Sequence, residues 1–199
     1  MQRSLFQRLP LLLSVLAATA AAQVKVHVVD QLGGPGSQYT SIADAVAAAA
    51  DGDVILVRPG GYQPFAVDGK ALVLAGDGPP GAPPTLLHTA FDHPVIKNLG
   101  PDQEVVLRGF KMEAPLGTAL ELEVRDCAGP VLVEDVSLAG GGPCLSVQQC
   151  AAVVLARCTL DGQNSVAGGT FDPGVALEAA GSSLYLYDCI VTGGDGHDG

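Results

Sequence analysis

Residues 105–112 read VVLRGFKM, and the same eight-residue arrangement returns as VLVEDVSL (131–138), VVLARCTL (153–160) and LYLYDCIV (184–191). Apolar residues fill the first, third, sixth and eighth places. They are Val105, Leu107, Phe110 and Met112 in the first copy, and Leu184, Leu186, Cys189 and Val191 in the last. Alternation of this kind marks a strand with one buried face. The doubled polar step in the middle shifts the phase, so the chain bends while its apolar side stays inside. The copies start at Val105, Val131, Val153 and Leu184, in steps of 26, 22 and 31 residues. A strand unit recurring at such intervals, with no helix between copies, predicts an all-β solenoid wound as a right-handed parallel β-helix.

A second apolar set precedes three of the copies: Leu122, Val124 and Cys127; Leu145, Val147 and Cys150; Leu177, Ala179 and Ser182. Each rung therefore carries at least two inward strands. Upstream, residues 24–30, 54–57 and 71–74 also read as strands, and the repeats proper begin near Val105. One helix is expected between them. Ser41 with Asp44 forms a capping box, Ile42, Val46 and Ala49 share a face, and Gly52 stops it. An amphipathic helix ahead of a strand solenoid suits an end cap, because the first rung needs its core covered.

The stretch SIADAVAAAADGDVILVRPGGY (41–62), followed by ALVLAGDG (71–78), resembles the N-terminal cap and first rung of the pectin lyase-like superfamily, and of its pectin methylesterase-like members in particular. The resemblance spans Tyr39 to about Gly78, and the later rungs match in pattern only. It implies the β-helix fold. The superfamily holds pectate lyases, polygalacturonases, pectin methylesterases and secreted repeat proteins without activity. Neither the esterase signature around a catalytic aspartate nor the polygalacturonase set of paired aspartates, Gly-His-Gly and Arg-Ile-Lys has a counterpart here. GTFDPG around Asp172 and DGHDG at Asp195 to Gly199 share isolated letters alone.

Residues 1–22 read as a secretory signal peptide. Arg3 and Arg8 precede an apolar stretch from Leu9 to Leu16, and small residues from Ala18 to Ala22 suit cleavage. Residues 23–199 then form the β-helix domain, secreted or in the cell envelope. No later apolar run is long enough to span a membrane. The chain stops at Gly199, inside a turn directly after a full strand set. A domain truncated at its C-terminus is expected, with an open edge from Leu184 to Val191 able to self-associate.

The formal net charge is −11, and −13 once Arg3 and Arg8 are removed. Such acidity argues against nucleic acid as a partner. The 26 glycines and 14 prolines make up about a fifth of the residues, short of a disordered composition. Five cysteines, Cys127, Cys144, Cys150, Cys158 and Cys189, show no zinc spacing. Cys127 with Cys150, and Cys158 with Cys189, share columns, so stacked core thiols and rung-to-rung disulfides both remain open.

No catalytic residue, metal site or cofactor is indicated. Gly76 to Gly81 matches G-x-G-x-x-G, but Pro79, Pro80, Pro83 and Pro84 forbid the helix that a dinucleotide site needs. The histidines, His27, His88, His93 and His197, lack ligand spacing. One polar column stands out. The fifth place of the unit is Gly109, Asp135, Arg157 and Asp188, and the fourth is Arg108, Glu134, Ala156 and Tyr187. Asp135, Arg157 and Asp188 are the candidate carbohydrate-facing residues; charge pairing between rungs explains them without any ligand and is the favoured reading. The expectation is a non-catalytic repeat protein offering an extended contact surface. The alternative is a protein that binds or degrades polysaccharide, with carboxylates as acid and base.

Overall fold

A computed structural model describes residues 23–79, 81–87, 92–113, 122–140, 143–162 and 174–194. The expected leader at 1–22, His88, His197, Asp172 and most of the 162–174 insertion lie outside these residues. The chain opens with β1 (Val26–Val29) and α1 (Ile42–Ala48). Rungs of three strands follow: β2 (Asp53–Val57), β3 (Gly61–Tyr62) and β4 (Ala66–Asp68); β5 (Leu72–Gly76), β6 (Thr85–Leu87) and β7 (Val95–Lys97). Next come β8 (Val105–Arg108), β9 (Lys111–Glu113) and β10 (Leu122–Arg125), then β11 (Val131–Glu134), β12 (Ser137–Gly140) and β13 (Leu145–Gln148). The last described elements are β14 (Val153–Ala156), β15 (Thr159–Gly162) and β16 (Leu177–Ala180), with β17 (Leu184–Tyr187) and β18 (Ile190–Thr192) beginning a further rung.

Three parallel sheets form the sides. The first stacks β1, β2, β5, β8, β11, β14 and β17. The second stacks β3, β6, β9, β12, β15 and β18, and the third β4, β7, β10, β13 and β16. The eight-residue unit is thus one strand of the first sheet, a bend, and one strand of the second. The repeats begin at Asp53 rather than near Val105. The earlier rungs escape the sequence pattern because β3, β4, β6 and β7 each bury one residue of two or three: Tyr62, Val67, Leu86 and Ile96.

In-register pairing turns the alternation into continuous core columns. Leu72, Val105, Val131 and Val153 stack in one, and Ile55, Leu74, Leu107, Val133 and Leu155 in another, all fully buried. Rungs lie about 4.8 Å apart, so each side chain meets its counterparts above and below. Burying one such aliphatic side chain contributes about 1.5–3 kcal/mol. Phe110, Val136 and Cys158 are buried beside the bend, as the pattern requires, and Cys189 packs partly buried against the same core.

The N-terminal end is closed by α1, whose Ile42, Ala45 and Val46 face inward. Ser41 Oγ accepts the Asp44 N–H at 3.4 Å, as expected of an N-cap. The C-terminus differs from expectation. The helix ends at Ala48, with Ala49 extended, while Gly52 (φ +85) serves the turn into β2. Lys70, in the turn between β4 and β5, supplies the cap: its Nζ donates to the carbonyls of Val46, Ala47 and Ala49 at 2.9, 3.1 and 2.9 Å. A cation there also opposes the negative end of the helix dipole. Beside it, buried Asp53 accepts from the Lys25 and Ala50 N–H groups and pairs with His27 Nε2, each at 2.9 Å. Among the described residues, no helix is long and apolar enough to cross a membrane.

Candidate functional site

The polar column read from the repeat lies where the first sheet turns into the second. Gly109, Asp135, Arg157 and Asp188 have φ of +73, +51, +55 and +52. All four sit in the left-handed region that suits glycine, asparagine and aspartate. A second column turns the third sheet back into the first: Gly69, Asn98, Asp126, Gln149 and Gly181, with φ between +52 and +60. One left-handed residue is what bends the chain at each of these corners while keeping the apolar side inward. The residue types in both columns therefore answer first to the backbone.

The inward residue after each corner explains the cysteines. Cys127, Cys150, Cys158 and Cys189 direct Sγ at the carbonyl two residues back, at 3.2–3.4 Å, and Ser182 Oγ does the same to Ala180 at 2.9 Å. The thiol fills core space and gives the turned-in carbonyl a weak donor. Cys127, Cys150, Cys158 and Cys189 are thiols, not disulfides. Burial pushes the Cys158 thiol up to about 11, so it is not a nucleophile at neutral pH.

Asp135 and Arg157 meet as the column predicts. Arg157 Nε and Nη2 donate to the two Asp135 carboxylate oxygens at 2.8 and 2.9 Å. The guanidinium holds the Asp135 carboxyl below its usual range. Both side chains are about half exposed, at 53% and 55%, so the pair stabilises the fold by at most about 1 kcal/mol. Asp188, one rung on, shares the corner but makes no ion pair with Arg157 among the described residues. Arg108 and Glu134 stack in register without an ion pair either. Beside the Asp135–Arg157 pair runs an open groove of about 470 Å³, walled by Gly81 and Pro83 and floored by Lys111, Ser137 and Thr159. Of the G-x-G-x-x-G glycines, Gly81 belongs to this wall. A Cβ on Gly76 would strike the Gly109 carbonyl, and one on Gly78 the Ala82 carbonyl. Close packing accounts for Gly76 and Gly78, and a left-handed backbone (φ +98) for Gly81.

The outward face of the third sheet carries the denser polar array, and sequence reading missed it. Lys97 Nζ lies 3.3 Å from Asp68, and Asn98 Nδ2 donates to the other Asp68 oxygen at 2.7 Å. That hydrogen bond, with Lys97, lowers the Asp68 pKa. Arg125 reaches Glu123 at 3.4 Å and Asp126 at 2.8 Å. His93 Nε2 lies 3.5 Å from the remaining Glu123 oxygen, buried and without a hydrogen bond. The signal was present as outward places in the second apolar set, where Glu123 and Arg125 flank Val124. By contrast, the first sheet turns Val54, Val73, Val106, Leu132 and Val154 outward. Among the described residues no cluster of histidine, cysteine and carboxylate groups could hold a metal ion.

No family model matches this sequence, and no curated protein does. Among solved structures, the chain is similar to a pectin methylesterase mutant in complex with a hexasaccharide. The identity is 16% over 80% of this chain and 66% of that one, with a TM-score of 0.53. A rhamnogalacturonan lyase aligns at 12% identity over 87% of this chain and 62% of that one, with a TM-score of 0.26. This chain thus spans less than two thirds of the length of either. The first likeness is one of fold alone, and the chain is a right-handed parallel β-helix.

Proposed function

We propose that the chain is a secreted or envelope-associated, non-catalytic β-helix that offers its flat sides to extended extracellular partners, polysaccharide foremost. The observation that carries this reading is the pairing of surface charges. Asp135 with Arg157, Asp68 with Lys97, Glu123 and Asp126 with Arg125, and Glu113 with Lys111 at 2.6 Å neutralise one another on the two polar sides. A carboxylate committed to a guanidinium or ammonium group is poorly placed to exchange protons with a substrate. A rigid ladder of satisfied polar groups suits contact without turnover. The hexasaccharide bound by the similar pectin methylesterase supports saccharide as the partner class. Retention on a panel of neutral and acidic polysaccharides, with no release of reducing ends, methanol or unsaturated uronates, is the expected result. Product release would overturn it, and so would failure to bind any polysaccharide.

A second reading, a polysaccharide-acting enzyme, is favoured by one place. Glu123 is held by Arg125 on one oxygen and faces the unbonded His93 Nε2 on the other. If product appears, Glu123→Gln should abolish it while leaving the thermal melt in place; retained turnover would exclude this site.

A further inference from the structure

We propose that the groove along the corner between the first and second sheets is a binding site for a neutral, hydroxyl-rich saccharide chain lying parallel to the solenoid axis. The inference rests on the contact-scaffold reading above and adds the place and the ligand class.

The floor of the groove is a ladder. Lys111, Ser137 and Thr159 occupy one outward column, paired in register across β9, β12 and β15. They recur about every 4.8 Å, so a chain along the axis meets a polar group at each rung. The Ser137 and Thr159 hydroxyls have no partner among the described residues, and each both donates and accepts. One edge is the Asp135–Arg157 pair, whose Nη1 and outer carboxylate lone pairs stay available beyond the bidentate contact. The other is the wall at Gly81 and Pro83, where the proline ring gives an apolar surface.

Charge selects the ligand. Lys111 is neutralised by Glu113, Arg157 by Asp135, and the chain as a whole carries −11. A polyanion would meet long-range repulsion and no unpaired cation in the groove lining. Hydroxyl groups, which donate and accept at short spacing, fit the valences left over. The left-handed backbone at Asp135 and Arg157 fixes both side chains on the rim before any ligand arrives, which lowers the ordering cost of weak binding.

The test is a titration of the full chain with cellohexaose, galactan hexasaccharide and hexagalacturonate, followed by amide chemical shifts and calorimetry. A neutral hexasaccharide should shift the amides of Lys111, Ser137 and Thr159. Ser137→Ala with Thr159→Val should weaken it at least tenfold, and Lys97→Met on the third sheet should leave it unchanged. These positions are at the surface, and an unchanged melt confirms folding; Thr159→Val alone is the fallback. Loss of binding in Lys97→Met, with the double variant intact, would move the site to the third sheet. That result overturns the inference and spares the scaffold reading. Preference for hexagalacturonate would overturn the neutral assignment. Absence of shifts with every probe overturns the groove, while polysaccharide retention then tests the broader reading separately.

Discussion

The two ends of the solenoid solve the same problem differently. At the first rung, α1 lies over the core, Val46 is 5% exposed, and Lys70 and Asp53 tie helix, β1 and β2 together through hydrogen bonds. At the last described rung, Leu186 is 41% exposed and Val191 44%, although both hold inward places in the repeat. A parallel stack buries a residue only if something lies on both sides of it. Leu155 is core and Leu186, its partner in register on the last described rung, is exposed. Position along the axis, not sequence, sets the burial of each column.

The sharpest way to break this comparison is to put the same charge at both ends. Val46→Asp should cost about 3–5 kcal/mol in urea unfolding, because the carboxylate is buried without a partner. Leu186→Asp should cost about 1 kcal/mol or less, because that side chain already meets solvent. Equal losses would mean that the far end is covered in solution. Sedimentation of the same pair separates the causes. The 199-residue chain should associate through β16, β17 and β18, each the last strand of its sheet among the described residues, and Leu186→Asp should shift it toward monomer. A parent chain that stays monomeric at high concentration would refute the open edge.

Acid should act next, and at the capped end first. The His27 hydrogen bond, with the Lys25 and Ala50 N–H groups, holds the Asp53 carboxyl far below the usual carboxylate range. A depressed folded-state pKa contributes stability that is present above the unfolded value near 3.9 and is lost as pH falls toward the folded value. Below about pH 4, amide protection should therefore fail in β1 and β2 before β11 and β14. Asp53→Asn should flatten this part of the pH dependence. Uniform loss along the axis would dismiss Asp53 as the sensitive point.

Lys70→Met should cost about 1–2 kcal/mol by leaving three helix carbonyls to water, and should loosen α1 without touching later rungs. Hydrogen exchange confined to residues 42–49 would sharpen the contrast between ends. The smallest effect belongs to a corner in mid-stack. Arg157→Met gives up the ion pair but keeps a side chain in the left-handed region, and should cost about 1 kcal/mol or less. Arg157→Gly gives up the same pair and relieves the backbone, so its melt should lie at or above that of Arg157→Met. The reverse order would show that the pair outweighs the backbone strain.

What the sequence discloses follows from how many residues each element commits to the core. β8, β11, β14 and β17 carry Val or Leu at their first and third places and run into a second strand at fixed phase, so fold and register are legible there. β3 and β4 bury Tyr62 and Val67 alone, which no periodicity can reveal. The meeting of Asp135 with Arg157 is readable because both hold the same place in consecutive units. The third-sheet array is not, because Asp68 and Lys97 lie 29 residues apart in short strands. Left-handed corners are equally hidden: among the repeats, Gly109 is the one residue in the first corner column whose type announces its backbone.

Those corners separate two kinds of information that most proteins mix. The bend is written in the backbone, and its side chain points away from the apolar core. One edge accordingly tolerates Gly, Asp, Arg and Asp in successive rungs, and the other Gly, Asn, Asp, Gln and Gly. Such an edge can change its message without changing its frame. Substitutions there should let descendants of this chain exchange one partner for another while the scaffold, rung for rung, is inherited intact.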